Sequence, residues 1–216
     1  MSQRLGDYWV FWRQFRENFH TTGAVLPSGA ALARSLVRHV GKGGSGQRVL
    51  EVGPGTGAVT SALVEALGPE DRLDLVELND QFVVNLRRRF EQDRTFVAVS
   101  ERARVLHAPV EQLEAEAPYD LIVSGLPLNN FSVESVENIL GVFRRLLRRG
   151  GWLSFFEYIA IRSARRVVSG PAERARLRGI DRALGGLLDP NEAEREWIWP
   201  NLPPAWVHHV RLPPLE

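Results

Sequence analysis

The stretch Val49-Leu50-Glu51-Val52-Gly53-Pro54-Gly55-Thr56-Gly57 decides the fold. It reads as a short apolar strand, a sharp glycine turn and then a helix running through Leu67. Glycine lets the backbone turn tightly and lets a ligand approach with no Cβ in the way. Outward from this turn, strand and helix alternate. Strands are predicted at Arg48–Val52, Arg72–Glu77, Arg104–His107, Leu121–Ser124 and Trp152–Tyr158. Helices are predicted from Ser28 to about Val40, from Asp80 to about Glu91 and over Ser132–Arg149, with Ser28 and Ser132 as caps and Gly150-Gly151 as a stop. Trp197–Trp199 and Trp206–Leu212 read as a closing hairpin around Asn201–Pro204. Repeated βα units of this kind predict an α/β, Rossmann-like domain: a mostly parallel, seven-stranded sheet with helices on both faces.

The flanks are more specialised. Residues 4–20 form an amphipathic helix by periodicity, with Tyr8, Trp9, Phe11, Trp12, Phe15 and Phe19 as its aromatic load. That load predicts an interfacial, membrane-binding helix over residues 1–20 and a folded domain over 21–216. Eleven arginines against three acids between Arg144 and Arg182 make residues 160–190, helical in part, the basic end of a chain whose net charge is only +1. Guanidinium forks suit phosphate. No 18-residue apolar run and no signal-peptide pattern are expected to operate. The absence of cysteine, and five histidines without ligand spacing (His20, His39, His107, His208, His209), give no expectation of a metal.

The glycine turn carries the first functional reading. Gly53, Gly55 and Ala58 also fit the dinucleotide pattern G-x-G-x-x-G/A, so the turn by itself leaves a nicotinamide dinucleotide open. Glu51 tilts the choice, because an acid two residues before the first glycine repels a pyrophosphate and suits a cationic ligand end. Gly53, Gly55, Thr56 and Gly57 are the expected loop contacts. Glu77, 24 residues after Gly53, ends the second strand, where a carboxylate can accept from both hydroxyls of a ribose. Leu78 follows it. Ala108 and Val110, after the third strand, are expected to meet an adenine through their backbone, and Ser124 and Gly125 close the pocket after the fourth.

Ser124-Gly125-Leu126-Pro127-Leu128-Asn129-Asn130-Phe131 and Leu147-Arg148-Arg149-Gly150-Gly151-Trp152-Leu153-Ser154-Phe155-Phe156-Glu157-Tyr158 add two further markers. With the glycine turn and Leu75-Val76-Glu77-Leu78-Asn79, they resemble the soluble bacterial phosphatidylethanolamine N-methyltransferases. The similarity runs from about Thr22 to Arg162 and returns at Pro203–His209. The resemblance implies a class I methyltransferase that takes its methyl group from S-adenosylmethionine, releases S-adenosylhomocysteine and needs no metal. It also implies a cytoplasmic enzyme peripheral on the inner face of the cell membrane, converting phosphatidylethanolamine towards phosphatidylcholine.

In such an enzyme Asn129 and Tyr158 are the candidates for orienting the amine, and Arg162 for holding the lipid phosphate. Glu157 and His107 are the nearby groups for the amine proton, and the sequence places neither. The expected partners are the phospholipid and an anionic membrane surface. The glycine turn also looks like that of ribosomal RNA adenine dimethyltransferases. Their N-L-P-Y type loop is replaced here by Gly125-Leu126-Pro127-Leu128, without the aromatic that stacks on a flipped base, which counts against nucleic acid. An RNA or DNA adenine methyltransferase and a non-catalytic membrane-binding module remain the two rival readings. A steep salt slope on RNA would mark the first, and cofactor binding without turnover the second.

Overall fold

The structure, a computed structural model, describes residues 27–44, 46–158, 170–199 and 204–211. The predicted helix over 4–20, with its aromatic residues, lies outside them, as does Arg162. The described chain runs α1 (Pro27–Leu36), β1 (Arg48–Val52), α2 (Ala58–Ala66), β2 (Arg72–Glu77), α3 (Asp80–Gln92), the short α4 (Arg94–Val97), β3 (Ala103–His107) and β4 (Tyr119–Ser124). It continues through α5 (Val133–Leu146), β5 (Leu147–Tyr158), α6 (Pro171–Asn191), β6 (Glu192–Ile198) and β7 (Ala205–Arg211). The seven strands form one sheet in the order β3-β2-β1-β4-β5-β7-β6. β1 to β5 are parallel; β7 enters antiparallel between β5 and β6. Strand order reverses between β1 and β4, and a crevice opens at the carboxyl ends of the strands at such a switch point.

The core lies on both faces of the sheet because its central strands are apolar on both sides, as a doubly covered parallel sheet requires. Leu50, Val52, Ile122, Leu153, Phe155 and Val210 pack with α5 and α6. Val49, Leu73, Leu75, Leu121, Val123 and Val207 pack with α1, α2 and α3 on the opposite face. Ser132 caps α5, its hydroxyl accepting from the Ser135 amide at 3.1 Å. α6 crosses α5 at Gly179, where a Cβ would stand 2.5 Å from Val133 Cγ2.

Several boundaries differ from the sequence reading, and α1 ends at Leu36, short of the expected Val40. α1 begins at Pro27, which puts Ser28 inside its first turn rather than at its cap. α5 stops at Leu146, because Leu147 already pairs with Tyr119 of β4. The residues before Trp152 are absorbed as a register shift that Gly150 turns at φ 64°, so the glycine pair sits inside the strand rather than ahead of it. β6 starts at Glu192, well before Trp197, and its alternating charges hid it. Glu194 and Glu196 face the end of α1 and the turn after it, where Arg38 pairs with both and Ser35 donates to Glu196 at 2.6 Å. Charges on an edge strand also discourage pairing with another chain.

Candidate functional site

β1 runs into a loop whose three glycines, Gly53, Gly55 and Gly57, all have positive φ (69°, 55° and 83°). Two of the loop's contacts show why side chains are excluded. A Cβ on Gly53 would lie 2.6 Å from Leu126 Cδ2, and one on Gly125 would lie 2.6 Å from the Gly53 carbonyl oxygen. The loops after β1 and β4 are therefore in direct contact, tied by the Gly125 amide donating to the Val52 carbonyl at 2.8 Å. Ser124 is buried beside this junction, its hydroxyl accepting from the Leu126 amide. Thr56 is exposed on the loop, and Gly57 leads into α2 without a side-chain cap. The first amides of α2 thus remain available to a ligand.

Two carboxylates lie beneath the loop. Glu51 is wholly buried, and Thr60 donates to its Oε2 at 2.8 Å. Its Oε1 is buried with no hydrogen-bond partner. Burial first, and the nearby negative charge of Glu77 second, push this carboxyl up to about 8 against the Thr60 bond. A buried acid with one oxygen unanswered is a receptor for a cationic group. Glu77 is also buried, and burial raises its pKa, partly offset by backbone amides. Its Oε2 accepts from the Gly55 amide at 3.0 Å and its Oε1 from the Asn79 amide at 2.8 Å. Glu77 therefore joins the glycine loop to the start of α3, and each oxygen keeps a second lone pair for a hydroxyl. Half-buried Leu78 and Ala108 continue the rim: the Ala108 amide donates to the Glu77 carbonyl at 3.1 Å, and Val110 is buried behind them. Geometry and chemistry both fit a nucleoside whose other end is cationic, as in S-adenosylmethionine.

Four residues beyond Gly125, the same loop forms one wall of a cleft lined by Pro127, Leu128, Asn129, Asn130, Phe156, Glu157 and Tyr158. Asn129 and Tyr158, both singled out from the sequence, meet here. Asn129 is buried and its Oδ1 has no partner; Tyr158 is half-buried, its ring edge-on to Phe156, and burial raises its hydroxyl's pKa. Glu157 faces this cleft too. His107 does not: its Nε2 lies 2.9 Å from the Leu78 carbonyl oxygen on the other side of the glycine loop. Of the two proton acceptors considered from the sequence, only Glu157 reaches the cleft.

Several contributors were missed. Thr60 and Arg89 support the glycine loop; Arg89 donates to the Gly57 carbonyl and the Ser61 hydroxyl and lies over the Phe96 ring. Arg176 of α6 donates to the carbonyls of Asn129 (3.1 Å) and Phe131, while Glu173 holds the guanidinium through two bonds of 2.7 Å. A basic segment signals arginines, but only tertiary contact picks out the one that grips the loop. Arg176→Ala leaves those two carbonyls without their donor. The expected cost is about 1–3 kcal/mol of stability, with a roughly tenfold rise in the acceptor KM and an unchanged donor KM. Thermal denaturation and steady-state kinetics check it; an unchanged acceptor KM would show that the clamp is not needed for the cleft.

A family model for a methyltransferase domain matches residues 49–151. The ornithine lipid N-methyltransferase of Singulisphaera acidiphila is 28% identical over 147 residues, which is 68% of this chain and 76% of that protein. The ribosomal RNA small subunit methyltransferase A of Geobacter sulfurreducens is 43% identical over 74 residues, 34% of this chain and 23% of that one. The matched fungal polyketide synthases are spanned over about 5% of their length. Among solved structures, the N-methyltransferase NodS of Bradyrhizobium japonicum WM9, in complex with S-adenosyl-L-homocysteine, superposes with a TM-score of 0.63. It is 18% identical, with 88% of this chain and 90% of that one covered.

Proposed function

Because this chain is a class I S-adenosylmethionine-dependent methyltransferase, we propose that it methylates the amine nitrogen of phosphatidylethanolamine at a membrane surface. When bound, the cofactor supplies a methyl group made electrophilic by the sulfonium that carries it. We assign the cationic end of the cofactor to Glu51 and its ribose to Glu77. Gly53, Gly55, Thr56 and Gly57 follow its backbone, and Leu78, Ala108, Val110, Ser124 and Gly125 line the remaining rim.

The observation that carries the substrate reading is the cleft beside Gly125. Asn129 offers a buried carbonyl for an N–H, Glu157 a carboxylate, and Tyr158 a π face that tolerates a growing cationic charge. Such a set suits an amine, whose growing positive charge the carboxylate and the ring can both offset. The Singulisphaera relative bears a name for an amine-containing lipid, which supports the same class.

A lipid surface is favoured by what surrounds the cleft. Ile198, Ala205 and Tyr158 lie in register across β6, β7 and β5, so Trp197 and Trp199, 54% and 70% exposed, stand on the cleft's edge of the sheet. Trp side chains partition to membrane interfaces. Arg174, Arg178 and Arg182 are exposed at four-residue steps along α6, one stripe of positive charge. Together with the aromatic-rich sequence of residues 1–20 and with Arg162 proposed as the phosphate ligand, these features support peripheral attachment to an anionic inner membrane face.

Vesicles of phosphatidylethanolamine and anionic phospholipid, incubated with the protein and methyl-labelled cofactor, should yield label in mono-, di- or trimethylated ethanolamine lipid on thin-layer separation. Label in added RNA with none in lipid would overturn the reading in favour of a nucleic-acid methyltransferase, the activity named for the Geobacter relative.

A further inference from the structure

A methyl acceptor that arrives as an ammonium must lose a proton before its nitrogen can attack, and the sheet provides for this beside the cleft. Glu157 of β5, 6% exposed, lines the cleft. Across the sheet His208 of β7, 3% exposed, brings Nε2 to 3.3 Å from Glu157 Oε2. The other ring nitrogen, Nδ1, lies 2.5 Å from Oε1 of Glu192 at the start of β6. Three strands thus align a carboxylate, an imidazole and a carboxylate from the cleft outward. With the Glu192 oxygen as acceptor, Nδ1 is the ring nitrogen that carries hydrogen and donates it. Nε2 then keeps a lone pair in a buried place where no hydrogen bond answers it, and Glu157 is its neighbour.

Among the described residues, the charged and titratable groups next to the row have partners of their own. Arg195 of β6 is opposite His208 in register and stacks its guanidinium over Trp206 at 4.8 Å. The Glu173–Arg176 pair of α6 is committed to the cleft loop. His209, next in β7, faces the other side of the sheet, where Ser154 and His39 meet it. Phe155 stacks on the His208 ring and keeps it fixed.

We infer that Glu157 takes the amine proton and that His208, oriented by Glu192, holds it while the methyl group is transferred. The inference rests on the amine-acceptor reading above. The ammonium N–H proton moves to the Glu157 carboxylate and on to Nε2, leaving an imidazolium between two carboxylates. Nitrogen's freed lone pair forms the new N–C bond as the C–S bond breaks, its electron pair staying on sulfur. As the product leaves, the proton returns through Glu157 to water, and Nδ1–H still faces Glu192, so the starting tautomer is restored. Glu157 is the catalytic residue; Glu192 is a positioning residue acting through His208.

The experiment uses the full chain, methyl-labelled cofactor, and vesicles of either phosphatidylethanolamine or ornithine lipid, with initial rates from pH 7 to 9.5. Glu157→Gln is expected to slow transfer about 100-fold at pH 7, in the range of a lost general base, with cofactor affinity by calorimetry unchanged. The deficit should shrink to under about tenfold at pH 9.5, where a primary amine of pKa about 10 sheds its proton unaided. Glu192→Gln, at the more open end, should show a smaller loss, about tenfold at pH 7, with the same recovery. A merely structural defect would be independent of pH, so a constant deficit in either variant overturns the inference. So does a wild-type rate for Glu157→Gln at pH 7, which leaves the amine reading standing. Wild-type protein that labels neither lipid overturns the amine reading and the relay together.

Discussion

Glu51→Gln is expected to stabilise the cofactor-free protein in alkaline solution while weakening its hold on the cofactor. The native state keeps the Glu51 carboxyl protonated up to about pH 8, whereas its ordinary value is 4.5. The unfolded chain therefore releases a proton that the folded chain retains between those values. Stability that is fully present below pH 4.5 is lost as the pH rises through about 8. Over that interval this one fully buried group removes roughly 4 kcal/mol, and Glu77, raised by the same burial, acts in the same direction. Glutamine keeps the shape without the ionisation, so the variant and the wild type should melt alike at pH 5 and diverge by pH 8.5, the variant being higher. The same substitution removes the ionisable oxygen proposed to meet the cationic end of S-adenosylmethionine, which can give up its proton once a cation is beside it, and should weaken binding by about 1.4–2.7 kcal/mol, ten- to a hundredfold. Melting curves across pH and calorimetric titration measure the two effects separately. A wild-type melting temperature flat from pH 5 to 8.5 would contradict the burial argument. Unchanged affinity would contradict the assignment. On the acid flank His209 works in the opposite direction. Burial pushes it down to about 3, so its contribution is present above pH 6.5 and lost as the pH falls.

Glu77→Ala should have the largest effect on cofactor binding. The carboxylate answers the Gly55 and Asn79 amides, one per oxygen. Alanine leaves both N–H groups without a partner and removes the acceptor proposed for the ribose. An unsatisfied buried donor costs about 1–3 kcal/mol, so affinity should fall about a hundredfold or more by calorimetry. Glu77→Gln presents one carbonyl oxygen and turns its NH2 against an amide, so it should lose at least about tenfold. β2 is an interior strand with Leu73, Leu75 and Val76 buried, so both variants should keep a native circular-dichroism spectrum. Full affinity in the alanine variant would remove Glu77 from the site.

The glycine loop and the two acids beside it were legible because their signals are local. Glycines that need positive φ, an acid within the preceding strand and an acid ending the next one lie within 27 residues, Glu51 to Glu77. Asn129 and Tyr158 were legible one by one, and their meeting across β4 and β5 follows from the βα pattern. What escaped depends on distant pairing. No periodicity marks β6, since its alternation is between charged residues facing α1 and residues facing the other side. α6 carries Gly185, Gly186 and Pro190, all poor helix residues, and is held as a helix by Leu177, Ile180, Leu184 and Leu187 packed beneath the sheet. His208 and His209 counted in the resemblance but offered no metal-ligand spacing and were given no role; in an extended strand adjacent side chains point to opposite faces, and each has a separate set of neighbours.

The placement of β7 between β5 and β6 separates the two halves of the site along the chain. Every residue assigned to the cofactor falls between positions 51 and 125, in units whose strands pair with near neighbours in the chain or with β4. The cleft's chemistry draws on positions 129, 157, 192 and 208, and its last partners come from β6 and β7, which pair with each other and, through β7, with β5. A ribosome emits the chain from its amino end, and local pairings form before distant ones. The residues assigned to the cofactor are therefore all synthesised before the group proposed to hold the amine proton, although Leu50 and Val52 beneath the glycine loop pack in one cluster with later residues such as Leu153, Phe155 and Leu184.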